Sequence, residues 1–148
     1  MTGFDQECTG QYKKMKYWIL TSEYPPYYGG GIGTYSSHLA QLLHKQQVNV
    51  SVFVPDGNVG QVTEEMLDGI RVIRFSPYYA DNSGFLGYEA LVSYSFTAVI
   101  EKYLEKEEAP DWVEAQEYDG IAYYLLQKKH LGYPVLKDLK IIITCHCP

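Results

Sequence analysis

The residues best suited to chemistry form a glycine-rich stretch near the start of the chain, E-Y-P-P-Y-Y-G-G-G-I-G-T-Y over residues 23–35. It follows a compact apolar run at residues 17–21 and precedes a helix-like apolar pattern at residues 35–46. Glycine lets main-chain N–H groups turn toward a ligand and lets that ligand approach closely. The free N–H groups and the dipole of a following helix favour an anion such as phosphate. The stretch therefore predicts a backbone cradle for an anion.

Two other groups of polar residues follow short apolar runs. E-Y-D at residues 117–119 comes after the run at 112–115, and His146 comes after the run at 141–144. If these runs are parallel strands, the polar groups share one edge of the sheet with the glycine loop, where ligands of such sheets bind.

The segment Cys145-His146-Cys147 suggests a metal site, but its spacing argues against one. Consecutive residues of an extended segment point to opposite faces, so the three side chains cannot close one tetrahedral site. For the same reason they cannot form a local Cys–His nucleophile pair. We expect no metal.

The elements that must position these residues alternate between strand and helix. Strands are predicted at residues 17–21, 48–54, 70–75, 112–115 and 141–144, and helices at 35–46, within 88–106 and at 120–131. Thr34 is the predicted N-cap of the first helix, and the alternation in I-R-V-I-R-F predicts a strand with one polar side. Near-continuous Val/Ile strands between helices indicate an α/β fold, an open doubly wound, mostly parallel, Rossmann-like sheet.

Composition excludes several classes of protein. The net charge of −6 and the lack of a long basic cluster argue against nucleic acid as a partner. No apolar run approaches the roughly 20 residues that span a bilayer, and the N-terminus lacks the pattern of a signal peptide. Three sparse cysteines suit a reducing cytoplasm. Residues 1–15 are polar and aperiodic, which predicts a disordered extension before a domain at residues 16–148.

The residues alone leave other functions open. Gly31-x-Gly33 is followed by Ser36 where the dinucleotide fingerprint has a third glycine, and the loop is long for that fingerprint. A nucleotide- or NAD(P)-binding α/β enzyme and a non-catalytic Rossmann-like interaction module are the alternatives. The P-loop sequence G-x-x-x-x-G-K-[ST] does not occur.

Four segments share a larger pattern. They are the glycine loop with its helix at 22–43, D-G-I-R-V at 68–72, P-D-W-V-E-A-Q-E-Y-D at 110–119, and I-I-T-C-H at 142–146. In order and spacing they resemble the opening of retaining GT-B glycosyltransferases, the large family four that includes glycogen synthase and sucrose synthase. The resemblance runs from about residue 16 to residue 148.

The resemblance implies a transferase that moves a sugar from a nucleotide-diphosphate donor to an acceptor hydroxyl with retention, in glucan, polysaccharide or glycoconjugate synthesis. This chain would be the N-terminal, acceptor-side domain. The family's C-terminal nucleotide-sugar domain would be its intramolecular partner and is absent from the sequence, so these 148 residues are expected to be inactive alone. No cofactor or metal is implied, because the nucleotide sugar is a substrate.

The resemblance also implies roles for particular positions. Glycines of the loop would line the cleft, the acidic-aromatic turn would contact donor or acceptor, and the histidine after the last strand would be catalytic, at the sugar or acceptor. In this sequence these positions are Gly30, Gly31 and Gly33, then Glu117, Tyr118 and Asp119, and finally His146. The chain departs from the family at Glu114 and Gln116, where histidines are frequent.

Overall fold

The computed structural model describes residues 13–27, 30–80 and 84–146, which form one mixed α/β layer structure. The predicted extension at residues 1–15 falls mainly outside the described residues. In chain order the described elements are β1 (Lys16–Leu20), α1 (Gly31–Lys45), β2 (Asn49–Pro55), β3 (Val62–Leu67), β4 (Ile70–Phe75), α2 (Tyr88–Lys106), β5 (Trp112–Gln116), α3 (Tyr123–His130) and β6 (Ile141–Thr144).

The strands form one sheet in the order β3-β4-β2-β1-β5-β6. β3 is antiparallel to β4, and every other neighbouring pair is parallel. The predicted open, mostly parallel sheet is confirmed. Because β1, β2, β5 and β6 run in the same direction, their carboxyl ends lie at one edge of the sheet.

Both faces of the sheet are covered. Trp18, Leu20 and Phe53 belong to a core shared with residues of α2 and α3. Ile19 and Val52 belong to a second core that includes Ala40 of α1. Alternate residues of each strand therefore enter different cores, which explains why the strands are apolar throughout.

The sequence did not predict β3, V-T-E-E-M-L, because its residues are exposed or half-buried and carry no apolar alternation. It is a strand because it pairs along its whole length with β4. The connecting residues Asp68 and Gly69 have φ values of 51° and 81°, the left-handed pair that a tight hairpin turn requires.

Two helices begin at residues other than those predicted. α1 begins at Gly31, so Thr34 lies inside the helix, where its hydroxyl donates to the Gly30 carbonyl at 3.2 Å. Thr34 was wrongly predicted as the N-cap, and Gly30 takes that position. α3 begins at Tyr123, because Asp119 and Gly120 have φ values of 54° and 58° and end a short 3-10 turn. Left-handed backbone cannot continue an α-helix.

Candidate functional site

The glycine loop is fixed to the sheet by a buried network of polar side chains. The Gln116 amide of β5 donates to the Ser36 hydroxyl at 2.6 Å and to the Thr21 hydroxyl at 3.0 Å. Ser36 also donates to Thr21 at 2.9 Å, and Thr21 contacts the Glu23 carbonyl at 2.9 Å. All three side chains at the centre of the network are buried. Ser36 therefore joins helix to sheet by hydrogen bonds at the position where a dinucleotide fold has glycine.

The first part of the loop, at Pro25 and Tyr27, is held by Arg74 of β4. The sequence predicted that β4 has one polar side. This prediction is wrong for Arg74, which is only 5% exposed. Its Nε donates to Glu65 of β3 at 2.7 Å, and its guanidinium also donates to the Pro25 carbonyl. It lies over the Tyr27 ring, 5.6 Å from the centroid. The buried charge of Arg74 is tolerated because the Glu65 carboxylate and the Pro25 carbonyl accept hydrogen bonds from it.

The start of α1 has the chemistry of an anion site. No side chain caps it, and its first turn contains no acidic residue. The first N–H groups of a helix lack intrahelical partners and carry the positive end of the dipole. They therefore remain able to bind an anion at Gly31 and the residues that follow.

The glycines at this helix start differ in what they do for the fold. A Cβ placed on Gly30 would lie 3.2 Å from Glu23 Oε2, so the absence of a side chain there serves the packing of Glu23. A Cβ placed on Gly31 would meet nothing within 4 Å among the described residues. Gly33 is buried in the helix. Neither Gly30 nor Gly31 has a left-handed φ. Neither the backbone at Gly31 nor any described residue around it therefore requires glycine at this position.

His146 lies beside α1, at the edge that carries the glycine loop. Its backbone N–H donates to Glu117 Oε1 at 2.9 Å. Its ring makes an edge contact with the Tyr35 ring, with centroids 4.5 Å apart. Tyr35 is one turn along α1 from Gly31, so the structure brings His146, Glu117 and the helix start into one neighbourhood.

Beneath His146 lies a carboxylate that the sequence did not single out as a functional residue. Glu114 of β5 is 6% exposed and accepts three hydroxyl hydrogen bonds. The donors are Tyr17 at 2.5 Å, Tyr35 at 2.9 Å and Thr144 at 2.7 Å. Glu114 thereby links β1, α1 and β6 and holds the ring that contacts His146. Two polar residues with i, i+2 spacing in an otherwise apolar strand, Glu114 and Gln116, were the signal that could have revealed it.

Tyr118 and Asp119 face a separate cavity of about 310 Å³. Glu23 of the glycine loop and Tyr88 and Glu89 of α2 also line it. Burial, and to a lesser degree the charge of Glu89, raises the pKa of Asp119 above its usual value. The predicted site residues thus form two adjoining groups, one around His146 and one around this cavity, with the glycine loop contributing to both.

Three buried tyrosines are expected to make the free energy of unfolding depend on pH in the alkaline range. Burial raises the pKa of Tyr24 to about 12. Burial, followed by a hydrogen bond to a carboxylate, raises the pKa of Tyr17 and of Tyr103. In each case the folded state keeps the proton that the unfolded chain releases near pH 10.

We therefore expect the free energy of unfolding to be level below about pH 9 and to fall as the pH rises above about 10. The slope should approach about 1.4 kcal/mol per pH unit for each tyrosine that stays protonated. Urea unfolding between pH 8 and 11 measures it. Tyr103→Phe should flatten the decline, whereas Phe at the exposed Tyr118 should not. Equal slopes for the two variants would contradict the assignment.

The described residues contain no group of three or more metal-ligating side chains close enough to hold a metal ion. Within the same residues, none of the helices is long and apolar enough to cross a membrane.

The sequence matches the family described as the glycosyl transferase 4-like domain over residues 30–147. Because the match covers most of the chain, the chain belongs to this family of glycosyltransferase domains. No curated protein matches the sequence significantly.

A solved structure shows the same fold. The catalytic domain of starch synthase IV from Arabidopsis thaliana, bound to ADP and acarbose, matches with a TM-score of 0.69 and 19% identity, covering 90% of this chain and 34% of that one. A structure from E. coli described as trehalose-6-phosphate bound with UDP-2-fluoro glucose has a TM-score of 0.49 and 14% identity, covering 90% and 33%. Family and fold together identify a glycosyl transferase 4-like domain whose fold matches part of a starch synthase catalytic domain. The chain spans about a third of the length of these structures.

Proposed function

We propose that this chain is the acceptor-side part of a retaining glycosyltransferase, which moves a sugar from a nucleotide-diphosphate sugar to an acceptor hydroxyl. The observation that supports this most is the start of α1, where an uncapped helix N-terminus coincides with a glycine that the fold does not require. A diphosphate that approaches this backbone would use both features. The N–H groups would offset the charge that grows on the diphosphate as it leaves.

In the proposed reaction the bond between the anomeric carbon and the diphosphate oxygen breaks, and the acceptor oxygen bonds to the same face of that carbon. The acceptor proton passes to the departing diphosphate. The share of this chain is to position the substrates and to stabilise charge. The nucleotide-binding contacts would come from a second domain, so the 148 residues alone should not catalyse transfer.

His146 is proposed as the catalytic side chain that reaches the transferring sugar or the acceptor hydroxyl. Its imidazole can donate or accept a hydrogen bond, and its position is set on two sides, by Glu117 through the backbone and by the Tyr35 ring. Gly30, Gly31 and Gly33 are proposed to line the cleft, with the backbone at Gly31 facing the donor. Glu117, Tyr118 and Asp119 are proposed to lie on the acceptor side.

We expect His146→Ala in the full-length protein to lower turnover by at least about tenfold, because a positioned hydrogen-bonding group is lost at the reacting atoms. Release of nucleoside diphosphate from a panel of nucleotide sugars measures it. His38→Ala is the matched control, since His38 is an exposed histidine of α1. Turnover that survives His146→Ala unchanged would remove His146 from the proposed site.

The experiment that tests the function itself is the same assay on the unmodified full-length protein, with product stereochemistry determined by NMR. Formation of a new glycosidic bond with the donor's anomeric configuration is the expected result. Inversion, or failure to consume any nucleotide sugar, would refute the proposal.

A further inference from the structure

The exposed ring of His146 lies in contact with a tyrosine of the first helix. Tyr35 of α1 is half-buried, and its ring meets the His146 ring edge-on, at an interplanar angle of 72° with 4.5 Å between the centroids. Aromatic rings favour such edge-to-face contacts. Because His146 is exposed, packing inside the core cannot fix its imidazole. The Tyr35 ring therefore limits the positions that the imidazole can take.

The Tyr35 ring is itself held through its hydroxyl. This hydroxyl donates to Glu114 Oε1 at 2.9 Å. The Thr144 hydroxyl donates to the same oxygen at 2.7 Å, and Thr144 lies two residues before His146 at the end of β6. One carboxylate oxygen therefore fixes both the ring that contacts His146 and the strand end that carries His146.

Glu114 suits this task because it is a buried carboxylate. It is 6% exposed, and its second oxygen accepts a hydrogen bond from the Tyr17 hydroxyl at 2.5 Å. An ionised carboxylate can accept about four hydrogen bonds, whereas a neutral histidine can accept one. Burial, followed by the hydrogen bond to Glu114, raises the pKa of Tyr35, so its hydroxyl remains a donor at neutral pH. The departure from the family at this position thus supplies a common acceptor that a histidine could not provide.

We propose that Tyr35 is a positioning residue of the transfer reaction, whose ring, anchored on Glu114, holds the imidazole of His146 toward the substrates. The inference rests on the proposed transferase function and on the catalytic role proposed for His146, and it adds a residue to both. Tyr35 itself makes no bond to a substrate and acts through His146. Its removal should therefore lower turnover only while His146 is present.

A double-mutant cycle on the full-length protein tests the proposal. Tyr35→Leu removes both the ring and the hydroxyl, and it should lower kcat at least about tenfold, because a misplaced catalytic group loses much of its effect. The KM for the nucleotide sugar should change by less than about twofold. When Tyr35→Leu is added to His146→Ala, kcat should fall by no more than about a further twofold, since residues that act as a unit are not additive.

A second variant and a matched control separate positioning from a loss of folding. Tyr35→Phe keeps the ring and removes only the hydrogen bond to Glu114, so its kcat should lie between those of the unmodified protein and Tyr35→Leu. The same cycle with Tyr35→Phe decides the matter if the leucine variant does not fold. Tyr94→Leu is the control, because Tyr94 is a half-buried tyrosine of α2 that makes an edge contact with Tyr124. It should leave kcat unaltered.

The cycle can also overturn the proposal. Full turnover in Tyr35→Leu would show that the ring does not position the catalytic group. An equal fall in kcat with and without His146 would show that Tyr35 acts on the fold and not through the imidazole.

Histidine NMR separates the role of Tyr35 from the proposed function. The ring signals of His146 are assigned by their loss in His146→Ala; they should move in Tyr35→Leu, where the neighbouring ring is gone, and stay in Tyr94→Leu. If no nucleotide sugar is consumed but the signals move, the transferase proposal fails and Tyr35 holds His146 as inferred. If transfer proceeds and the signals stay, the transferase stands and the positioning role fails.

Discussion

Replacing Gly31 by alanine is expected to lower turnover of the full-length protein by about 100-fold, because a methyl group would hold the donor diphosphate away from the helix N-terminus. The fold gives no reason for a loss of stability. A Cβ at this position meets nothing among the described residues, and the backbone is already helical. Stability should stay within about 1 kcal/mol of the unmodified protein, on the stabilising side, since alanine favours a helix over glycine.

Turnover and thermal unfolding, measured on the same preparation, separate the two effects. Gly60→Ala is the control, because Gly60 also has open space around its Cβ position and an ordinary φ but lies in the turn between β2 and β3. It should change neither quantity. Full turnover in Gly31→Ala would mean that no ligand approaches this backbone closely, and the proposed donor site would have to be abandoned.

Replacing Glu114 by alanine is expected to destabilise the chain by about 3 kcal/mol or more. Three hydroxyl groups, from Tyr17, Tyr35 and Thr144, would lose the buried carboxylate that is their common acceptor. The loss would act on three elements at once, since the donors belong to β1, α1 and β6. It would also release the Tyr35 ring that contacts His146.

Urea unfolding of the variant chains measures this effect. Glu114→Gln keeps the volume and one carbonyl acceptor, so its loss should be smaller than that of alanine. Glu105→Ala, on the exposed side of α2, should stay within about 0.5 kcal/mol. If Glu114→Ala also cost less than about 1 kcal/mol, the three hydrogen bonds would not contribute to stability as the geometry implies.

The sequence by itself determined the class of fold and the edge of the sheet at which the candidate site residues lie. A strand that is apolar on both faces must lie in a sheet that is covered on both sides. Residues 50–54 of β2 are such a run, and all of them are buried. The strand at Ile70–Phe75, the helix at Tyr88–Lys106 and the strand at Ile141–Thr144 follow from such local patterns. Since parallel strands place their carboxyl ends together, the glycine loop, the turn at residues 117–119 and His146 had to share one edge.

Only the tertiary structure decided what each polar residue does there. β3 has no apolar alternation and exists through its pairing with β4, and Arg74 is buried because Glu65 and Pro25 receive its guanidinium. Glu114 is a common acceptor only because residues 97, 79 and 30 positions away in sequence supply its donors. The cavity lined by the glycine loop, α2 and the turn after β5 likewise needs these three elements to bring its carboxylates together. The pattern of apolar residues along a segment predicts which strands are buried. Hydrogen bonds between residues far apart in sequence depend instead on the order of the strands in the sheet.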